Sequence, residues 1–172
     1  MKKIEDIKFF QCDTEALAQK LVGKWLVTEI DGERKVSQIS EVEAYLEFDT
    51  ACHANGRKRT PRTQPMWEEG GTIYVYLCYG LHFMFNIVSR DENHPEAVLI
   101  RACKEANGPA KLTKYHGITK DLNGQKIVGN DKIYLLDDGK KYEFEAKPRV
   151  GIDYASEEDR KALRRFVLKE NG

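Results

Sequence analysis

Asp31-Gly32 stands between two strand-forming runs, Trp25 to Ile30 and Lys35 to Tyr45, and this turn dipeptide commits the chain to an antiparallel hairpin. The same grammar recurs downstream. Gly70-Gly71 opens the run Thr72 to Tyr79, in which Ile73, Val75 and Leu77 fall on one face and Tyr74 and Tyr76 on the other. Gly80 interrupts the alternation and Phe83 to Val88 resumes it, which predicts a second hairpin with Tyr79 and His82 near its tip. Ala97 to Cys103 is apolar enough to be a central strand. Asn123-Gly124 and Asp138-Gly139 mark later turns, and Ile133 to Leu136 and Tyr142 to Phe144 read as short strands. Pro148 to Ile152 reads as a further extended piece, and Arg165 to Leu168 closes the sheet. Helices are few. Asp13 caps a short one with Leu17, Leu21 and Val22 on its apolar face and Gly23 as its stop. Gly108-Pro109 opens a second, and Ser156 caps a single turn. Strands without regular βαβ alternation predict an α+β domain with a mostly antiparallel sheet.

At 172 residues the chain suits one domain, spanning 1–172, that buries a core without staples. The charges cancel, 28 Lys and Arg against 28 Asp and Glu, which argues against an extended, non-specific coat on a polyanion. Charge is local, however. Arg57, Lys58, Arg59 and Arg62 lie within six residues that contain no acid, whereas acids gather at Asp91-Glu92 and Glu157 to Asp159. Cys12, Cys52, Cys78 and Cys103 are scattered, without the spacing of a zinc site, so reduced thiols and no metal or other cofactor are expected. Cys52-His53 is the one adjacent pair, and a catalytic thiol there is a minor reading. No apolar run reaches membrane-spanning length and the first residues lack a signal-peptide core, so the expected location is cytoplasmic, with no membrane partner.

The chemistry-bearing residues gather around Glu43. On a strand, Glu41, Glu43 and Tyr45 share a face. Arg101, inside an apolar strand, needs an anion because a guanidinium cannot shed its charge on burial. That anion is either a structural partner or Glu43, which such a pairing would keep ionised beside a fixed water. Two carboxyls side by side on one strand do not flank a sugar, so a two-carboxylate glycosidase is set aside. Tyr45, His53, Tyr74 and Tyr76 are either ordinary sheet aromatics or a stacking pocket beside the carboxylate. Tyr79 is either a wedge between base pairs or an aromatic folded back over the sheet. The long polar stretch from Leu46 to Gly70 invites a functional role.

Taken together, Glu41 to Leu46, His53, Arg59-Thr60-Pro61-Arg62, Gly71 to Gly80, Asn86, Leu99 to Ala102, Gly108 to Leu112 and Arg149-Val150-Gly151 resemble, in order, the alkyladenine (3-methyladenine) DNA glycosylase family of mammalian type. This family is distinct from the helix-hairpin-helix glycosylases, and the resemblance covers nearly the whole chain. It implies a single mixed domain on a curved sheet with a protruding hairpin and no metal. It implies hydrolysis of the N-glycosidic bond of alkylated or deaminated purines in double-stranded DNA by a monomer, without lyase activity. By the same resemblance Glu43 is the general base, and Arg101 and the backbone carbonyl of Val150 help hold its water. Tyr45, His53 and Tyr76 sandwich the flipped base, the His53 N–H reads its purine edge, and Asn86 excludes the guanine amino group. Tyr79 fills the gap in the duplex, and Arg57, Arg59 and Arg62 are expected on the phosphates. The chain departs from the pattern in a shorter stretch between Tyr45 and His53, in His82 beside the hairpin, and in Glu68-Glu69 near the presumed DNA face. The alternatives are a nucleic-acid-binding module on this scaffold without catalysis, and a small-molecule hydrolase using Glu43 and Arg101.

Overall fold

A computed structural model describes residues 1–170. The chain runs through β1 (Lys2–Lys3), α1 (Thr14–Leu21), β2 (Trp25–Ile30), β3 (Glu33–Tyr45), β4 (Ile73–Cys78), β5 (His82–Val88), β6 (Ala97–Cys103) and β7 (Ala106–Asn107). It continues through α2 (Pro109–His116), β8 (Ile133–Asp137), β9 (Phe144–Lys147), α3 (Glu157–Lys161) and β10 (Arg165–Leu168). The sheet order is β1-β8-β2-β3-β6-β5-β4, and the strand pairings among the described residues are antiparallel. This is the α+β domain with an antiparallel sheet that the residue pattern predicts, curled as the resemblance implies.

One strand organises the rest. β3 is 13 residues long, and its first half pairs with β2 from Glu33↔Ile30 to Gln38↔Trp25. Its second half pairs with β6, and β10 joins it at Glu41 to Glu43. The register shifts on both sides of Glu41, and a bulge of this kind bends a strand and increases its twist. The change of partners and the curl of the sheet therefore fall just before Glu43.

The helices pack on the sheet for simple reasons. Asp13 accepts from the Ala16 N–H at 3.1 Å, and Leu17, Ala18 and Leu21 turn the buried face of α1 onto the sheet. Pro109 sits in the first turn of α2, which ends at Gly117 in the left-handed region. Phe10, Leu26, Val42, Ile73, Phe85, Ile100, Leu112 and Phe166 belong to one continuous core between these layers. His116 is buried there, with Nδ1 2.8 Å from the Thr28 hydroxyl and Nε2 2.6 Å from that of Ser37. A second, smaller cluster joins Cys52, Met66, Tyr74 and Ala97 under Tyr45 and Tyr76.

Four expectations need correction. The strand read at 142–144 lies instead at Phe144–Lys147, because Tyr142 is held against Gly23 and its hydroxyl donates to Asp138, keeping it off the ladder. Pro148 to Ile152 is a bent loop rather than an extended piece, with Gly151 at φ +74°. β3 begins at Glu33, two residues before Lys35. Leu77 leaves the buried face of Ile73 and Val75 and is 46 % exposed, because the β4–β5 hairpin runs out beyond the core.

Gly70 sits at a tight point of the chain. Its N–H donates to the Arg90 carbonyl at 2.7 Å, and a Cβ there would lie 2.3 Å from that oxygen and 2.9 Å from the Phe10 carbonyl oxygen. Both neighbours are backbone and cannot swing away. Gly70→Ala is therefore expected to cost about 1–3 kcal/mol of stability, read from urea unfolding. An unchanged midpoint would show that the segment entering β4 is free to shift.

Candidate active site

Glu43 has no exposed surface, and each of its oxygens has a partner. The Tyr45 hydroxyl donates to Oε1 at 2.8 Å, and the Val150 backbone N–H donates to Oε2 at 2.7 Å. Arg101 Nη1 lies 3.8 Å from Oε1. Alternation along β3 puts Glu41, Glu43 and Tyr45 on a common face, and the antiparallel partner β6 delivers Arg101 to it. Arg101 is shared, however, with its Nε only 3.4 Å from Glu41 Oε2. Arg165 from β10 holds the other Glu41 oxygen at 2.5 Å. Charges thus alternate along Arg165, Glu41, Arg101 and Glu43. Burial pushes the Glu43 carboxyl above its usual range, against the pull of Arg101, the Val150 N–H, the Tyr45 hydroxyl and Arg149.

Beside this carboxylate lies an aromatic cavity walled by Tyr45, Cys52, His53, Tyr74, Tyr76, Asn86 and Tyr154, with about 40 Å³ of water-accessible space. That is room for a few waters. The His53 and Tyr76 rings meet edge to face with centroids 4.5 Å apart. The three residues of the expected sandwich line one cavity, with His53 and Tyr76 in mutual ring contact. His53 Nδ1 is 3.1 Å from the Tyr74 hydroxyl. The Asn86 amide nitrogen donates to the Tyr74 and Met84 carbonyls at 3.2 and 3.4 Å. Glu43 is not on the cavity wall; Tyr45 contributes to that wall and also bonds Glu43.

Tyr79 stands at the tip of the β4–β5 hairpin, 93 % exposed at φ +52°, and is not folded back over the sheet. Leu81, on the same tip, is 76 % exposed and had no sequence signal beyond its apolar character. The basic cluster is less free than its sequence suggests. Arg57 bonds Glu47 at 3.0 Å and packs on Trp67, and Arg59 bonds Gln64 at 3.0 Å and packs on the same ring. Arg62 lies over the Tyr76 ring at 5.2 Å, at the cavity. Glu68 is met by Lys126 at 3.6 Å.

Other residues of the site escaped sequence reasoning. Arg149 lies over the Tyr45 ring at 4.9 Å and forms a buried, two-pronged ion pair with Asp49. Their separation of 100 positions leaves no local signal of the pairing. Tyr154, which bonds the Ala51 carbonyl at 2.9 Å, joins the cavity wall from the far end of the chain. The minor reading of Cys52 as a nucleophile fails: burial pushes its thiol up to about 12, so it stays protonated at neutral pH. Among the described residues no cluster of three or more His, Cys, Asp or Glu is arranged to hold a metal ion. No described helix is long and apolar enough to cross a membrane.

With this geometry in hand, comparison with known proteins is specific. A family model described as methylpurine-DNA glycosylase matches residues 8–106 and 104–172. A relative from Borrelia garinii subsp. bavariensis is 39% identical over 179 residues, covering 96% of each chain. One from Natranaerobius thermophilus is 40% identical over 190 residues, also covering 96% of each. One from Bdellovibrio bacteriovorus is 39% identical over 182 residues, covering 95% of this chain and 94% of its own. All three carry 3-methyladenine DNA glycosylase in their names.

His53 supplies a test of the electrostatics. Burial, reinforced by Arg62, lowers its imidazole from 6.5 to about 4. Burial with a contribution from Lys35 lowers His116 to about 4. Between those pH values the unfolded chain binds more protons than the folded one, so both groups subtract stability as pH falls from about 6.5 to about 4. Imidazole NMR titration should give a His53 midpoint near 4, and Arg62→Ala should raise it because one repelling cation is gone. A midpoint unmoved by that substitution would place the Arg62 charge away from the cavity.

Proposed function

The chain belongs to the methylpurine-DNA glycosylase family, and from that premise we propose that it releases damaged purines from double-stranded DNA with a water activated by Glu43. Its substrates are alkylated or deaminated purines of the 3-methyladenine, 7-methylguanine and hypoxanthine type, and its product is an abasic site. The observation that carries this reading is the buried carboxylate held by Arg101, Val150 and Tyr45 directly behind an aromatic cavity.

The chemistry follows from those contacts. A flipped base enters between Tyr45 and the contacting pair His53 and Tyr76, with unstacking costs of a few kcal/mol offset by stacking worth roughly 1–3 kcal/mol per aromatic contact. Displacing Tyr45 toward the base breaks its bond to Glu43 and opens Oε1 to a water. That water attacks C1′ and gives its proton to Glu43. The C1′–N bond breaks, its electron pair leaving with the purine. A raised carboxyl pKa makes Glu43 a better proton acceptor at neutral pH, while Arg101 keeps it ionised. An alkylated purine carries positive charge, so it favours electron-rich rings and gains from the neutrality of His53.

Around the cavity, Asn86 screens the purine edge and the His53 N–H reads it. Tyr79 inserts into the gap in the duplex, and Arg57, Arg59 and Arg62 face its phosphates. The water-based mechanism requires no lysine nucleophile, so base release without strand cleavage is expected. The protein acts as a monomer beside the chromosomal DNA, in the cytoplasm.

The complete enclosure of Glu43 favours a second reading, in which the scaffold binds damaged DNA and releases no base. Single-turnover incubation with a duplex bearing one hypoxanthine or alkylated adenine, then alkaline cleavage, separates the two. Abasic sites support the glycosylase; retained duplex without them supports the binding module. Glu43→Gln is expected to lower base release by about 10²-fold or more while leaving DNA affinity nearly intact. Wild-type rates in that variant would remove Glu43 from the mechanism. Tyr79→Ala should weaken retention of the flipped state, seen as faster dissociation from lesion DNA; unchanged affinity and rate would mean the hairpin tip is not the wedge.

A further inference from the structure

Glu43 owes one of its two close hydrogen bonds to a loop that no strand ladder fixes. Residues 148–152 have no partner strand, yet the Val150 N–H sits 2.7 Å from Glu43 Oε2. We propose that Asp49 and Arg149 are a positioning pair that holds this N–H on the carboxylate and thereby fixes the general base. The inference rests on the reading of Glu43 as the proton acceptor, and it adds two residues that the base, the sugar and the water never touch.

The contacts converge. Both side chains are sealed from solvent, at 0 % and 1 % exposure. The two Arg149 amino groups take the two Asp49 oxygens, Nη2 to Oδ1 at 2.9 Å and Nη1 to Oδ2 more closely still. Nη1 also donates to the Ala44 carbonyl at 3.0 Å, and Ala44 lies between Glu43 and Tyr45 on β3. Nη2 reaches the Asp159 carbonyl at 3.2 Å. The guanidinium backs the Tyr45 ring at 4.9 Å. One side chain therefore ties the strand of Glu43, the ring next to the cavity and the loop carrying its own neighbour Val150. Arg164 supports the assembly, with Nη1 3.3 Å from Asp159 Oδ1 and 3.8 Å from Asp49 Oδ2.

Energetics favours a geometric role over a stabilising one. An apolar pair of similar volume is often as stable as a buried ion pair or more so, because both charges lose their hydration. The fork of an arginine gives what an apolar pair cannot: fixed directions to a carboxylate and two carbonyls at once. The charged and titratable groups facing Glu43 are Tyr45 on its own strand, Arg101 from β6 and Arg149 from the loop, with Glu41 and Arg165 one step further along the charge chain. Arg149 sits next to the Val150 donor and ties it to Asp49 and Ala44, while Arg165 anchors the start of the same loop through its Nε on the Pro148 carbonyl at 2.8 Å.

The test uses the full chain with the charge-balanced double variant Asp49→Asn/Arg149→Gln, which removes one cation and one anion together. The Glu43 side-chain carboxyl is followed by 13C NMR titration. Single-turnover base release is followed against pH, with affinity for lesion DNA measured alongside. A carboxylate that loses its backbone donor while still buried is expected to titrate about 1 unit or more higher. The acidic limb of the rate profile should move with it, and the plateau rate should fall about tenfold, with DNA affinity within about threefold. Arg149→Lys, which keeps the charge beside Asp49 but not the fork, should shift both readouts in the same direction by less; it carries the test if the double variant does not fold. A folded variant with the Glu43 midpoint and rate limb of the wild type would overturn the proposal, because a merely structural pair would lower stability alone. If the wild type itself releases no base, the glycosylase reading falls, while the NMR titration still decides whether the pair positions Glu43.

Discussion

The burial of the Glu43 carboxylate imposes conditions that much of this molecule meets. Taking an isolated carboxylate out of water costs far more than a small domain's net stability, so it persists as an anion only where donors and cations are brought to it. Three separated parts of the chain supply them: Tyr45 from the same strand, Arg101 from β6 and the Val150 N–H from the loop before α3. The register shifts flanking Glu41, which leave Ser40 on β3 and Arg101 on β6 without directly opposed partners, and the closure of the sheet by β10 are the means by which those parts meet. Fold and site are the solution to one electrostatic problem.

A second tension lies between the cavity and its use. Packing favours closed aromatic contacts, and in this structure His53, Tyr74 and Tyr76 lie within ring-to-ring contact of one another. Tyr45 belongs to both worlds, one edge in the cavity and its hydroxyl on Glu43. In the reading advanced above, the resting arrangement protects the carboxylate from solvent, and an arriving base exposes it. The neutral state of His53 fits a positively charged guest, since burial rather than a proton sets its character.

Much of the scaffold is legible in the residues because its rules are local. Period-two alternation and turn dipeptides place β2, β4, β5 and β6 at or near their observed bounds, and Asp13, Pro109 and Ser156 open helices as their side chains demand. Glu43, Tyr45, His53, Tyr76 and Arg101 stand out by type and pattern and Asn86 by the family resemblance alone, and the fold brings them into one neighbourhood. What stays hidden is non-local. Nothing near Asp49 announces Arg149, nothing near Tyr154 announces the cavity, and Arg101 divides itself between two carboxylates that alternation alone cannot rank. The cations at 57–62 mislead for the opposite reason: their local density suggests free charge, whereas Glu47, Gln64 and the Trp67 ring absorb part of it.

The register shift in β3 also divides labour along a single strand. From Glu33 to Gln38 the strand answers to β2, and through β2 to β8 and β1; beyond the shift it answers to β6 and β10. A kinked beam with separate supports on each side of its joint transmits little torque across it. Lengthening the loop at Asp31-Gly32 or repacking the outer edge would thus leave the far arm in register, giving evolution a handle on size and surface that does not reach the reacting centre.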